Sequence, residues 1–167
     1  MSLSLLSRCI ILATEAHSGQ VDKAGEPYIL HPLRVMCDPS LRTEIERCVA
    51  VLHDAIEDAS HVPIEGVHPL KKFEWLPAEI RWRLDLLNRH SPNKPDGQKY
   101  FDYIQQICDS ADPICITVKW ADIKNNSDPD RLSRMDADSR EHCLSLRPRY
   151  KKAYHMLLAA LPEGEWQ

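Results

Sequence analysis

Apolar positions recur at intervals of three and four along most of the chain, the period of a helix with one face turned inward. Leu5, Cys9, Leu12, Ala13 and Ala16 form the first such face, and Gly19 is placed to stop it. Residues 20–30, with Gly25 and Pro27, read as a loop. His31 and Pro32 then open a short helix through Leu33, Val35 and Met36. Pro39 and Ser40 break it, and Ser40 is expected to cap the next helix. That helix is predicted over 41–58, with Ile45, Cys48, Val49, Leu52 and Ile56 as its apolar side. Residues 59–76 are irregular, and Pro77 suits the first turn of a helix through Ile80, Leu84 and Leu87. A loop at 91–97 precedes a helix over 100–107. Residues 114–126 open like a strand but run too long for one, so a buried helix is expected. A last helix covers 139–161, with Pro148 expected to kink or restart it. There is no repeat, no alternating strand pattern and no glycine-rich phosphate loop. The fold class is all-α, a compact multi-helix bundle, with residues 1–167 as a single domain.

Composition narrows the function classes. Hydrophobic residues at 43% and charged residues at 28% are ordinary for a globular domain. Lys and Arg number 21 against 25 Asp and Glu, a net charge of −4. No basic arm for nucleic acid is present. The first apolar stretch, Leu3 to Ala13, is too short to span a bilayer and lacks the marks of a signal peptide. The six cysteines show no paired spacing and are expected to be free thiols. A cytoplasmic setting and no membrane partner are expected.

The densest polar cluster is His53, Asp54, Glu57 and Asp58. On a continuing helix, spacings of four would put these side chains along one edge. An adjacent imidazole and carboxylate suit a divalent ion, and further carboxylates suit proton handling on a water. His31, before a proline, is biased away from a helix interior and suits a ligand at a helix entrance. Asp122 follows an apolar stretch and needs a partner if buried. Asn126 lies one turn further along the same face.

His31, then His53 and Asp54, then Asp122 form an ordered set. With the stretches Ala16–Gln20, Lys23–Pro32, Ala50–Asp58, Tyr100–Ile104 and Val118–Asp128, the chain resembles the HD phosphohydrolase superfamily. Within it the likeness is to alarmone hydrolase domains of stringent-response enzymes, and most to the stand-alone small alarmone hydrolases, over residues 5–160. The resemblance implies metal ligation by His31, His53, Asp54 and Asp122, with one Mn²⁺ the usual ion. It implies that Glu57 and Asp58 handle the attacking water. It implies that Asn126 and Lys23 contact an anionic nucleotide, and it makes His17, Gly25 and Tyr28 framework positions. The implied reaction removes the 3′-pyrophosphate of ppGpp or pppGpp, and ppApp is a further candidate substrate.

Three positions depart from the family pattern. Asp22 stands where a basic residue usually packs on the base, Trp120 replaces a smaller aliphatic residue, and Asn125 stands where histidine is common. No synthetase segment follows, so degradation alone is expected. Against a negative chain, local cations must meet the substrate. The candidates are Lys23, Lys94, Lys99, Lys124 and Arg131, with Lys23 and Lys124 favoured because they flank the metal motifs. The competing readings are hydrolysis of NADPH or a nucleoside monophosphate on the same scaffold, and an inactive nucleotide-binding module.

Overall fold

The computed structural model describes residues 3–56, 72–91, 94–95 and 97–161. These residues form eight helices: α1 (Leu5–Ala16), α2 (Leu30–Met36), α3 (Glu44–Leu52), α4 (Ala78–Leu87), α5 (Tyr100–Asp109), α6 (Pro113–Asn126), α7 (Pro129–Ser133) and α8 (Ala137–Ala160). The one β-type pairing among them is an isolated bridge between Val21 and Pro27. No helix among the described residues is long and apolar enough to cross a membrane.

Two helices organise the bundle. Cys48 to Leu52 of α3 are buried without interruption. A short helix that is apolar all round must be enclosed on every side, and α1, α2, α4 and α6 enclose it. In α6, Cys115 to Val118 and Trp120 to Ile123 are buried, Asp122 among them. Contacts with α2, α3, α4, α5 and α8 account for that burial. Because α2, α3 and α6 touch each other pairwise, they meet at one junction.

Local chemistry sets the ends. Thr43, not Ser40, caps α3: its hydroxyl accepts from the Glu46 amide at 3.3 Å. The Glu46 carboxylate returns the bond to the Thr43 amide at 2.6 Å. That capping box fixes the start three residues beyond the predicted one. The helix also ends earlier than predicted, at Leu52. There the His53 ring Nδ1 bonds the Ala50 carbonyl at 2.7 Å, and a turn takes over at His53 and Asp54. The single helical edge expected for His53, Asp54, Glu57 and Asp58 is therefore broken at its start. Pro77 caps α4 in extended geometry rather than lying inside its first turn. His31, expected at the entrance, is the second residue of α2. A proline in the first turn forfeits no helical hydrogen bond, so Pro32 tolerates this placement.

Pro148 does not interrupt α8, which runs unbroken through it. The proline lies on the exposed side, while Ala153 and Leu157 hold the helix to the core. The buried thiols of Cys9, Cys48 and Cys115 are free, as expected.

Asp112 ties α6 to α4. Its carboxylate accepts from the Cys115 amide at 2.8 Å and from Arg83 Nε and NH2 at 3.1 and 2.9 Å. Burial opposes its charge, but the Arg83 bonds outweigh this and hold the carboxyl below its ordinary value. Its contribution is complete above a pH of about 4 and is lost as pH falls through the depressed folded value. Asp112→Ala is expected to lower the unfolding free energy at neutral pH by roughly 1–3 kcal/mol. In urea titrations the gap from wild type should narrow below pH 4.

Candidate metal centre

The α1–α2 connection positions the first side chains. Asp22 Oδ1 accepts from the Ala24 and Glu26 amides at 2.8 and 3.1 Å, closing a turn in which Gly25 adopts φ +75°. A left-handed residue there favours glycine. Asp22 Oδ2 lies 3.4 Å from Arg131 Nε, which pins the turn to α7. The position expected to be basic thus carries an inward-facing acid that shapes the loop.

From this loop the chain enters α2 with Tyr28 and His31 on one side. His31 Nδ1 bonds Asn125 Oδ1 at 2.8 Å. His53 Nδ1 bonds the Ala50 carbonyl, as noted above. Each Nδ1 faces an oxygen acceptor, so each ring turns Nε2 toward the same small space. Asp54 Oδ2 lies 3.5 Å from His31 Nε2 and 3.2 Å from His53 Nε2. Asp122 Oδ1 lies 3.2 and 3.8 Å from the same two nitrogens. The structure therefore brings together all four residues of the expected ligand set, from α2, the end of α3, and α6.

The cluster is mostly enclosed, with Asp54 half-buried at its edge. His31, His53 and Asp122 are buried. Burial presses both carboxyls toward their neutral forms. His53 and His31, together with Lys119 for Asp122, overcome this and hold both well below the usual carboxylate range. Burial likewise opposes charge on His53, yet Asp54 and Asp122 raise its ring to about 10.

His31, His53 and Asp54 can hold a metal ion, with their ligand atoms all within 4.8 Å of one another. His53 Nε2 is buried and has no hydrogen-bond partner, an orphan that a coordinated ion would satisfy. Ion–ligand bonds of about 2.0–2.2 Å place neighbouring ligands roughly 3–3.5 Å apart, close to the separations found here. The mixed nitrogen and oxygen donors suit a borderline divalent ion.

Three contributors went unremarked in the sequence as parts of the site. The Tyr28 hydroxyl donates to Asp54 Oδ2 at 2.8 Å. Lys119 Nζ donates to Asp122 Oδ2 at 2.7 Å, and Asn125 orients His31. Lys119 stands three residues before Asp122 on α6, so the helical period carried that signal, whereas Tyr28 lies in the turn before α2 and had no such signal.

The other sequence candidates scatter. Asn126 donates to Asp122 Oδ1 and accepts from Arg131 NH1 at 2.6 Å, so it holds a ligand in place and leaves Arg131 buried. Lys124 lies about 200° round α6 from Asp122 and pairs with Asp38 at 2.8 Å. It is not brought to the cluster. Lys23 is exposed, with Nζ 4.0 Å from Cys143 Sγ. Lys94 is buried and bonds the Leu86 carbonyl at 2.6 Å, and Lys99 caps α5. Trp120 is buried, its ring centroid 5.4 Å from that of Tyr154. Glu57 and Asp58, like most of the irregular segment after them, lie outside the described residues.

No family model matches the chain. Locally it is 42% identical over 55 residues to the bifunctional (p)ppGpp synthase/hydrolase SpoT of Escherichia coli K12. It is 39% identical over 59 residues to a guanosine-3′,5′-bis(diphosphate) 3′-pyrophosphohydrolase of Vibrio cholerae. Over 58 residues it is 34% identical to a GTP pyrophosphokinase of Myxococcus xanthus. The stretches cover 32%, 34% and 34% of this chain and 8% of each relative. The similarity is to proteins named for hydrolysing and for making such nucleotides. It supports a relationship to ppGpp hydrolases over part of the chain.

Protons and a divalent ion compete for the same four side chains. Titration calorimetry with Mn²⁺ or Zn²⁺ should therefore show affinity falling as pH is lowered, with proton release on binding. Saturation at a hundred times the dissociation constant should add about 2.7 kcal/mol of stability, an increment absent in Asp54→Ala. Asn125→Leu, which removes no ligand, should weaken binding by about 10–100-fold.

Proposed function

We propose that this protein is a Mn²⁺-dependent phosphohydrolase that removes the 3′-pyrophosphate from guanosine 3′,5′-bis(diphosphate) and its pentaphosphate counterpart, acting as a stand-alone hydrolase. The observation that carries the reading is the convergence of buried His31, His53 and Asp122 with half-buried Asp54. The local similarity to ppGpp hydrolases supports the substrate class. A cytoplasmic setting, without membrane or nucleic-acid partners, accompanies it.

In this reading those four residues hold the ion. When bound, it supplies Lewis acidity toward phosphoryl oxygens and makes hydroxide available near neutrality. Lys119 and Tyr28 keep Asp122 and Asp54 ionised and oriented, and Asn125 fixes the His31 ring. Glu57 and Asp58 aim the water and take its proton. Water attacks the phosphorus attached to the 3′ oxygen, the bond from that phosphorus to the 3′ oxygen breaks, and the 3′ hydroxyl leaves with a proton. The products are pyrophosphate and GDP, or GTP from the pentaphosphate. Lys23, exposed on the loop before α2, meets the anionic nucleotide, and Asn126, held by Asp122 and Arg131, reaches it only through its remaining amide hydrogen. Lys124, paired with Asp38 on the other flank of α6, reaches the phosphates only if that pair opens.

Asp22 bears on the base. It is tied to Arg131, so this loop offers no cation at that position to stack on guanine. Selection for guanine over adenine is accordingly weak, and ppApp is a substrate as well.

Product analysis of the Mn²⁺-loaded protein decides among the chemistries. Pyrophosphate plus a nucleoside diphosphate is expected from both the guanosine and the adenosine tetraphosphates. Asp54→Ala should abolish turnover and ion binding together. Glu57→Gln or Asp58→Asn should keep the ion and lose about 10²–10⁴-fold in rate. Inorganic phosphate from NADPH with neither alarmone cleaved would overturn the substrate assignment. Normal turnover by Asp54→Ala would overturn the site.

A further inference from the structure

A sizeable groove lies away from the His31, His53, Asp54 and Asp122 cluster. It measures about 630 Å³ and lies between α6 and α8, within the size range of small-molecule sites. Ile123 and Lys124 of α6 line it, about 100° and 200° round that helix from Asp122. It therefore opens on the opposite flank from the ligand cluster.

We propose that this groove binds a small amphipathic anion, its aromatic body against Tyr150 and Tyr154 and its anionic head between Arg147 and Lys151. Three observations support this. The floor is apolar and aromatic, with the half-buried rings of Tyr150 and Tyr154 beside Ile123. Leu144, 41% exposed, extends this surface at the rim. An apolar floor with a few polar groups at its edge is the usual form of a ligand site.

The charge around the groove is one-sided. Lys124, Arg147 and Lys151 line it, and no carboxylate does. Lys124 is answered by Asp38 at 2.8 Å. Arg147 and Lys151 have no ion-pair partner among the described residues, and both are exposed. They stand four apart on α8, so their like charges face each other along one helix edge and repel. An anion between them removes that repulsion.

The backbone agrees. Pro148 lies between the two cations and has no N–H to give the Leu144 carbonyl one turn back. Both residues line the groove, so a helical sequence has accepted a lost hydrogen bond at the groove wall. The proline ring offers a flat apolar surface in its place. The proposal is independent of the hydrolase reading.

The test uses the full chain and two probes, 8-anilinonaphthalene-1-sulfonate and its uncharged counterpart N-phenyl-1-naphthylamine, followed by fluorescence and calorimetry. Saturable binding of the sulfonate at a single site is expected, at least tenfold tighter than that of the neutral probe. The double variant Arg147→Glu, Lys151→Glu, at exposed positions that leave the fold intact by circular dichroism, should lose the sulfonate preference and bind it at least tenfold more weakly. Asp54→Ala should bind it as wild type does, which separates this site from the metal centre. Unsaturable binding, equal affinity for the neutral probe, or an undiminished sulfonate affinity in the double variant would overturn the proposal.

Discussion

Two carboxylates at the junction of three helices, Asp122 buried and Asp54 half-buried, set the terms for the rest of the molecule. Removing an ionised carboxylate from water is costly, and at this depth the cost is met only by opposite charge and well-aligned donors. Asp54 and Asp122 receive both. Two imidazoles stand within 3.8 Å of them, Lys119 bonds the outer oxygen of Asp122, Tyr28 donates to the Asp54 oxygen that faces the imidazoles, and Asn126 adds a further donor to Asp122. One inward-facing atom, His53 Nε2, lies 3.2 Å from Asp54 Oδ2 yet makes no hydrogen bond. A core built only for stability would not leave such an atom dry at its centre. The same arrangement follows at once if a cation belongs there.

The fold serves this junction. The apolar surround of α3 brings its last residue, Leu52, deep into the bundle, so the turn that follows delivers His53 and Asp54 to the interior. The His53 ring both closes that helix and turns its free nitrogen inward, one side chain doing two jobs. On α6, Lys119, Asp122, Asn125 and Asn126 carry linked polar heads: Lys119 and Asn126 bond the Asp122 carboxylate, and Asn125 orients His31. The opposite flank of the same helix lines the α6–α8 groove. A single helix thus separates the His31, His53, Asp54 and Asp122 cluster from the groove.

Much of this was legible from the sequence, for a local reason. The faces of α1, α5 and α6 depend on the periodicity of consecutive residues, and all three formed where expected. The four residues of the ligand set were readable because their types and order restrict the chemistry. What escaped depended on contacts between distant segments or on competing local bonds. Ser40 and Thr43 are both credible caps, and only the reciprocal bond with Glu46 separates them. The end of α3 turns on a ring-to-carbonyl bond that no hydrophobic period encodes. Pro148 was expected to disturb α8, but the helix continues through it, anchored further along by buried Ala153 and Leu157. Arg131 and Lys124 looked like free cations, and Asp22 and Asp38 claimed them across 109 and 86 residues.

The central claim is that the two imidazoles and two carboxylates at this junction hold a single divalent ion. Pulsed electron paramagnetic resonance on Mn²⁺-loaded protein carrying ¹⁵N-histidine tests it directly. The account predicts one ion per chain with couplings from two imidazole nitrogens, reduced to one in His31→Ala and in His53→Ala. A bound ion without nitrogen coupling, or couplings unchanged in both variants, would contradict it.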